Sequence, residues 1–304
     1  MRRLITILLA LLLDLGFGDP PNKFHPVVLM GTWLNGGRRL APRQQRFWFG
    51  AGWITAGLAL FALPWQPLES AKPSPLGYLV SALLLKSVFA YRNLRHNVAE
   101  VGQTLAAGNL PLARWLTGWH LVSRDTEQLT EAEVAGAAIE SLAENLNDSL
   151  VAPLLAYALG GLPAAWAYRF ANTADAMWGY RNETFEQLGK FPAHLDDWLN
   201  WLPARLTGGL FIAAAWLAGE WADRAIAVML SQHSRTPSPN AGWPMSAMAG
   251  ALGVTLTKRD VYNLEGGQER LDVMAIRRAL RLADLAAMLS VILVVLIAAT
   301  ARQK

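Results

Sequence analysis

Carboxylates, amides and guanidinium groups gather in two short stretches of this 304-residue chain. The first is Glu140, Glu144, Asn145 and Asp148, in ESLAENLND; the second is Asn172, Asp175 and Arg181, in NTADAMWGYR. Carboxylate oxygens are hard ligands for Mg2+, and guanidinium matches phosphate oxygens in a bidentate fork, so this grouping suits a metal–phosphate site. Further groups of the same kind lie along the chain. Arg124 and Asp125 stand in SRDT, Asp196 and Asp197 open DDWLNWLPAR with Arg205 at its end, and Asn240 lies in SPNAGWP. Asp14, Asp19 and His25 belong to DLGFGDPPNKFHP, where Gly18-Asp19-Pro20-Pro21 must turn because two prolines lack the amide that helix or sheet needs. The plainer readings are an interfacial loop capped at Asp19 and a helix N-cap at Asp125 or Thr126. No P-loop, dinucleotide-binding GxGxxG, HExxH or GxSxG is present, and the absence of cysteine removes thiolate catalysis and Cys-ligated metals.

These residues need elements to hold them. Asn172, Asp175 and Gly179 fall on one helix face at i, i+3, i+7. Glu131–Asp148 reads as an amphipathic helix, with Glu133, Glu140, Glu144, Asn147 and Asp148 on one arc and Ala135, Ile139, Leu142 and Leu146 opposite. For Glu133 a solvated face is explanation enough. Glu144 to Asp148 differ, because the helix runs straight into the apolar segment Leu150–Tyr168, and ionisable groups bordering such a segment usually mark a site. That segment is interrupted by Gly160-Gly161-Leu162-Pro163, two flexible residues and a helix-starting proline. A re-entrant helical hairpin turning there would return both polar clusters to one side, and broken helices of this kind are tolerated where protein surrounds the backbone.

Composition places the chain in a bilayer. Hydrophobic residues make up 53% and charged residues 16%, against about 25% charged in soluble domains. The formal charge of +4 reflects basic residues beside apolar runs, which favours a membrane over nucleic acid. Apolar segments run over Leu4–Leu13, Phe47–Trp65, Leu76–Tyr91, Leu150–Tyr168, Leu206–Leu217 and Leu285–Thr300, with Lys86 an anomaly inside the third. Arg2 and Arg3 precede an apolar run that has no small-x-small cleavage site after it, so an uncleaved first helix is expected. Arg38, Arg39, Arg43 and Arg46 before the second segment, and Arg92 and Arg95 after the third, put both outer ends of that pair in the cytoplasm. The expected fold is all-α: a polytopic integral membrane protein with broken or re-entrant helices and cytoplasmic helical loops. It would form a single membrane-embedded domain over 1–304, with a cytoplasmic helical insertion at about 93–147.

In order, DLGFGDPPNKFHPVVLMG, SRDT, ESLAEN with its following Asp and Ala-Pro, NTADAMWGYRNE, LDDWLNWLPARL and SPNAGWPMSAMAGALG resemble the membrane-bound adenosylcobinamide-phosphate synthase family of cobalamin biosynthesis (CbiB/CobD). They extend from residue 14 to about residue 252, most of the chain. The resemblance implies an ATP-dependent ligase in the inner (cytoplasmic) membrane, its site facing the cytoplasm, that joins adenosylcobyric acid to aminopropanol phosphate or ethanolamine phosphate through an amide bond. It implies ATP and Mg2+, with Glu140, Glu144, Asp148 and Asp175 as metal ligands. Glu144, Asp148, Asp175 and His25 would be catalytic, and Arg124, Asp125, Asn145, Asn172, Arg181, Asp196, Asp197, Arg205 and Asn240 would bind substrate and phosphate. Partners would be the corrinoid, the amino-alcohol phosphate and the lipid bilayer, without nucleic acid. A homo-oligomer or other late-pathway membrane enzymes are further partners the resemblance leaves open. Two positions depart from the family: Asp148-Ser149 stands where Asp-Gly is usual, and the loop after Tyr262 is shortened to NLEGGQERLDVMA. The competing expectation is a non-catalytic sensor of the related AmpE branch, which would share mainly LDDWLNWLPARL.

Overall fold

The computed structural model describes residues 2–20, 25–72 and 74–300, and Pro21-Asn22-Lys23-Phe24 of the first motif lie outside the described residues. In chain order the helices are α1 (Arg2–Phe17), α2 (Val27–Leu40), α3 (Arg46–Ala62), α4 (Gln66–Ser70), α5 (Pro75–Lys86), α6 (Tyr91–Ala106) and α7 (Leu110–His120). They continue with α8 (Glu131–Leu146), α9 (Ala152–Trp178), α10 (Lys190–Ala218), α11 (Ala222–Gln232), α12 (Gly242–Leu252) and α13 (Val273–Thr300). The one departure from an all-helical chain among the described residues is an antiparallel hairpin, β1 (Thr255–Lys258) with β2 (Tyr262–Glu265). Among the described residues, four helical stretches are long and apolar enough to cross a membrane: Arg46–Ser70, Glu131–Trp178, Lys190–Ala218 and Val273–Thr300. The Leu4–Leu13 and Leu76–Tyr91 segments form α1 and α5, which are too short for that test and pack along one another.

The chain divides into two compact units, one of residues 1–90, 152–200 and 293–304, the other of 91–151 and 201–292. In the first, α3 carries no narrow apolar stripe; it is apolar all round, as a membrane helix should be. It locks onto α2 by a reciprocal exchange in which the Trp33 and Trp53 indoles stack at 4.5 Å and each N–H donates to the other residue's carbonyl, at 3.3 and 3.1 Å. The break expected in the middle of α9 is present. Gly161 has φ 71° and ψ −161°, a region that is essentially glycine's alone. The Glu69 carboxylate then accepts the Leu162 amide at 2.9 Å and caps the limb that Pro163 begins. Before the break, Tyr157 lies against Thr6, and Arg3 donates to the Ala158 carbonyl at 2.7 Å. After it, Trp166 packs on Trp65, Phe170 on Phe61, and Met177 on Gly31, so the second limb runs antiparallel to α3. These contacts are those of a helix turned back at Gly161.

In the second unit, α8 starts from a capping box in which Thr130 and Glu133 satisfy each other's backbone amides. Thr130 is therefore the N-cap, and Asp125 and Thr126 have other tasks. From Val134 to Ala143 every residue of α8 is buried. Glu140 is buried with them, because α6, α7, α12 and β1 cover the helix on several sides. A π-helical turn, Asn147–Val151, follows α8 directly. No left-handed φ occurs at Ser149, so a serine in place of the usual glycine introduces no backbone strain there. α12 is buried from Met245 to Leu252 and lies so close to α11 that a Cβ on Gly250 would sit 2.7 Å from the Ala225 Cα. The small residues of the AMAGA stretch permit this close helix approach.

Candidate functional site

In the first unit, the end of α1 and the following turn converge on Lys86 at the end of α5. Its buried ammonium lies 3.0 Å from Asp14 Oδ1 and 2.5 Å from Asp19 Oδ1, and it also donates to the Phe89 carbonyl at 3.3 Å. This resolves the anomaly of a lysine in an apolar segment: two carboxylates from the DLGFGDP motif share it. His25 stands in electrostatic reach of Asp19, Arg169 and Lys86. Burial pushes its imidazole below the ordinary value, Arg169 and Lys86 act in the same direction, and Asp19 opposes them. Its Nδ1 accepts the Val27 amide at 3.3 Å, so the neutral ring presents Nε2–H, a donor.

A second group in this unit links the returning limb of α9 to the start of α10. Asp196 is buried and accepts from the Asn172 amide at 3.3 Å and the Asn200 amide at 2.9 Å, while Tyr168 donates to Asn200 at 2.9 Å. Sequence reasoning named Asn172 and Asp196 but missed Asn200 and Tyr168. Asn200 carried a signal, since it lies one helical turn after Asp196. Arg181 and His194 are near enough to Asp197 to act on its charge. Asp175 folds over Gly179, where a Cβ would collide with its Oδ1. Gly179 lies just past the end of α9, so the shared face becomes a close approach at the helix end.

In the second unit, Glu140 is buried and receives Arg124 Nη2 at 3.2 Å, and the Tyr262 hydroxyl reaches the same carboxylate. Burial raises the Tyr262 phenol above its ordinary value, and Glu140 and Glu144 add to the effect, so it serves as a hydrogen-bond donor. No spacing in the sequence could have paired Tyr262 with Glu140; the small β-hairpin brings it there. Asp125 accepts the Glu127 amide at 2.9 Å and shapes the turn. Asn145 turns its amide back onto Ser141, at 2.9 Å from the carbonyl and 3.2 Å from the hydroxyl. In the π-turn, Asn147 donates to Asp148 at 2.8 Å and accepts from Thr207 at 3.1 Å.

Arg205 is the most elaborately held of the expected phosphate contacts. Its guanidinium lies between the Trp201 and Trp243 rings, 4.4 and 4.5 Å from their centroids, and reaches Asn240 Oδ1 at 3.4 Å. Trp243 stacks in turn on His233 at 3.9 Å. Burial, then Arg205, hold the His233 imidazole below its ordinary value. The SPNAGWP loop thus supplies Asn240 and one face of a stacked cation site, and Trp201 supplies the other face.

The match to known proteins follows these residues along nearly the whole chain. The model of the CobD/Cbib protein family matches residues 7–292. The chain belongs to the CobD/Cbib family. A probable cobalamin biosynthesis protein CobD of Methanothermobacter thermautotrophicus is 39% identical over 285 residues, which cover 94% of each chain. Its counterpart in Thermococcus kodakarensis is 41% identical over 305 residues, 99% of this chain and 97% of the relative. The cobalamin biosynthesis protein CobD of Geobacter metallireducens is 42% identical over 267 residues, 84% and 82% of the two chains. No solved structure matches the chain. For this CobD/Cbib chain, the Mg2+ expectation meets one geometric fact. Among the described residues no three His, Asp or Glu side chains converge into a preformed metal cage. Mg2+ commonly takes one or two carboxylates and completes its shell with water and substrate phosphates.

Proposed function

We propose that this CobD/Cbib protein is a membrane-bound, ATP-dependent ligase of cobalamin biosynthesis, joining a free carboxylate of adenosylcobyric acid to the amine of aminopropanol phosphate or ethanolamine phosphate. What carries the reading is the match over residues 7–292 to a family whose relatives are named cobalamin biosynthesis proteins. The side-chain chemistry is compatible with it. A carboxylate does not react with an amine until it is activated. Attack of the substrate carboxylate on the ATP γ-phosphate would form an acyl phosphate and release ADP. The amine then attacks the acyl carbon, inorganic phosphate leaves, and a base takes the ammonium proton.

Arg124, Arg181 and the stacked Arg205 are suited to phosphate oxygens, and Asn172 and Asn240 to orienting substrate polar groups. With Nδ1 accepting the Val27 amide, His25 is suited to hydrogen bonding an anionic oxygen through Nε2–H, and proton removal would fall to a carboxylate such as Asp175 or Glu144. Glu140 is already engaged by Arg124. Mg2+, arriving with ATP, would be held by one or two carboxylates of the second unit, Glu144 and Asp148, and would offset phosphate charge. The test is a membrane-fraction assay with adenosylcobyric acid, ATP, Mg2+ and aminopropanol phosphate. Wild type should form adenosylcobinamide phosphate, while Glu144→Gln and Asp175→Asn remain in the membrane and lose turnover by about 100-fold or more. Folded wild-type protein that makes no ATP-dependent product contradicts the ligase reading; near-normal rates in both variants remove those residues from the chemistry.

A further inference from the structure

A cavity of about 480 Å3 opens between α7 and the turn that carries Arg124 and Asp125, a volume in the usual range for a small-molecule site. Its wall is unusual in combining two indoles with two guanidiniums. Trp115 and Trp119, one helical turn apart, stack with centroids 5.7 Å apart and planes 10° from parallel. They are 56% and 71% exposed, so ring surface is available to a ligand. Arg114 is anchored by its Nε–H, which donates to the Leu129 carbonyl at 2.6 Å. Arg124 lines the cavity as well, with Nη2 engaged by Glu140.

The floor itself is built by a close approach. Thr126 donates to the Arg114 carbonyl at 2.8 Å, and a Cβ on Gly118 would lie 2.7 Å from the Thr126 Oγ1. Gly118, between the two tryptophans, therefore lets the turn seat against α7. Asp125 and Glu127 also line the cavity, and carboxylates at such a position suit sugar hydroxyls.

We propose that this cavity binds a nucleoside phosphate, with the base against the Trp115–Trp119 indoles, the ribose toward Asp125 and Glu127, and phosphate oxygens on Arg124 and Arg114. The proposal rests on the ATP-dependent reading above and locates its nucleotide. Neither tryptophan nor Arg114 is marked by any expected site motif; only the fold of α7 against the SRDT turn assembles them.

The experiment uses the full chain in nanodiscs of zwitterionic lipid and the Mg2+ complex of β,γ-imido-ATP, with binding read by equilibrium dialysis of the labelled analogue. Base–indole stacking of about 1–3 kcal/mol predicts binding weakened ~5-fold or more in Trp119→Ala, with substantial recovery in Trp119→Phe. Arg114→Ala should weaken the triphosphate analogue more than adenosine. Trp48→Ala, another exposed indole, serves as the control and should bind as wild type does. In the ligation assay, Trp119→Ala should raise the KM for ATP and leave that for the corrinoid unchanged. If wild type binds the analogue and the Trp115→Ala, Trp119→Ala and Arg114→Ala variants bind it equally well, the cavity is not the nucleotide site while the ligase reading stands. If those tryptophan variants lose only their association with lipid, the indoles are a membrane anchor and the proposal falls. If wild type binds no nucleotide, both readings fall together.

Discussion

At the scale of single residues, the account turns on charged groups that the fold has taken out of water. Lys86 is the clearest, since its ammonium is shared by Asp14 and Asp19. Removing one member of a buried ion pair typically costs about 3–5 kcal/mol. Lys86→Met should therefore lower stability in detergent by about that amount, while Lys86→Arg should lose less; equal unfolding midpoints for wild type and Lys86→Met would show that the triad carries no load. His233 gives a pH prediction. Its imidazole is held below the ordinary value by burial and by Arg205, so the folded chain disfavours the charged ring. The stabilisation is present above the ordinary histidine value and is lost as pH falls through that value and below it. Between about pH 8 and about pH 5 the wild-type unfolding temperature should drop further than that of His233→Gln; parallel curves would contradict the stacked arrangement. The residue types at these places were legible in the sequence. Their partners were not, because Lys86 and Asp14, or Tyr262 and Glu140, are far apart in the chain and meet only through packing.

At the scale of elements, the decisive feature is the break in α9. Gly160-Gly161-Leu162-Pro163 announced it, since a residue free to adopt left-handed backbone followed by a helix-starting proline has few other uses in an apolar segment. The part played by Glu69 was hidden, as it lies in the connector between two other apolar segments. Gly161→Ala would force a Cβ into positive φ and to within 2.7 Å of the Glu69 Cδ. That backbone alone costs about 1–3 kcal/mol for a residue with a Cβ, and the collision adds to it. The expected result is lower thermal stability, with Glu69→Ala milder because it loses the cap on Leu162 but introduces no clash. A Gly161→Ala variant as stable as wild type would contradict the turned conformation. By contrast, the burial of α8 on every side was not legible along its middle. A helical-wheel arc gives the helix one apolar face, but neighbouring elements bury a helix whose residues there are mostly small. Small side chains let partners approach from every direction, which periodicity alone does not register.

At the scale of the whole molecule, the sequence supported a helical membrane protein and the structure bears this out with four helices of sufficient length and hydropathy. The small β-hairpin was not foreseen, because its two four-residue strands carry too short a pattern to separate from loop. Within the first unit, the antiparallel run of α3 and the returning limb of α9 places the connector before α3 and the one after α9 at the same end. With the arginine-rich connector in the cytoplasm, Gln44→Cys and Glu183→Cys should label from the cytoplasmic side and Lys72→Cys from the other, against a background without native thiols. Labelling of Gln44→Cys and Glu183→Cys from opposite sides would contradict the antiparallel run of α3 and the second limb of α9.

The central claim, ATP-dependent activation of a corrinoid carboxylate, is tested most directly by following oxygen. Adenosylcobyric acid labelled with 18O in the reacting carboxylate is turned over with ATP, Mg2+ and aminopropanol phosphate by the purified protein in nanodiscs. If the carboxylate is activated as an acyl phosphate, one labelled oxygen must leave with each inorganic phosphate as the amide forms, and ADP must accumulate in equal amount. Amide formed without ATP consumption, or with unlabelled phosphate, would contradict the account.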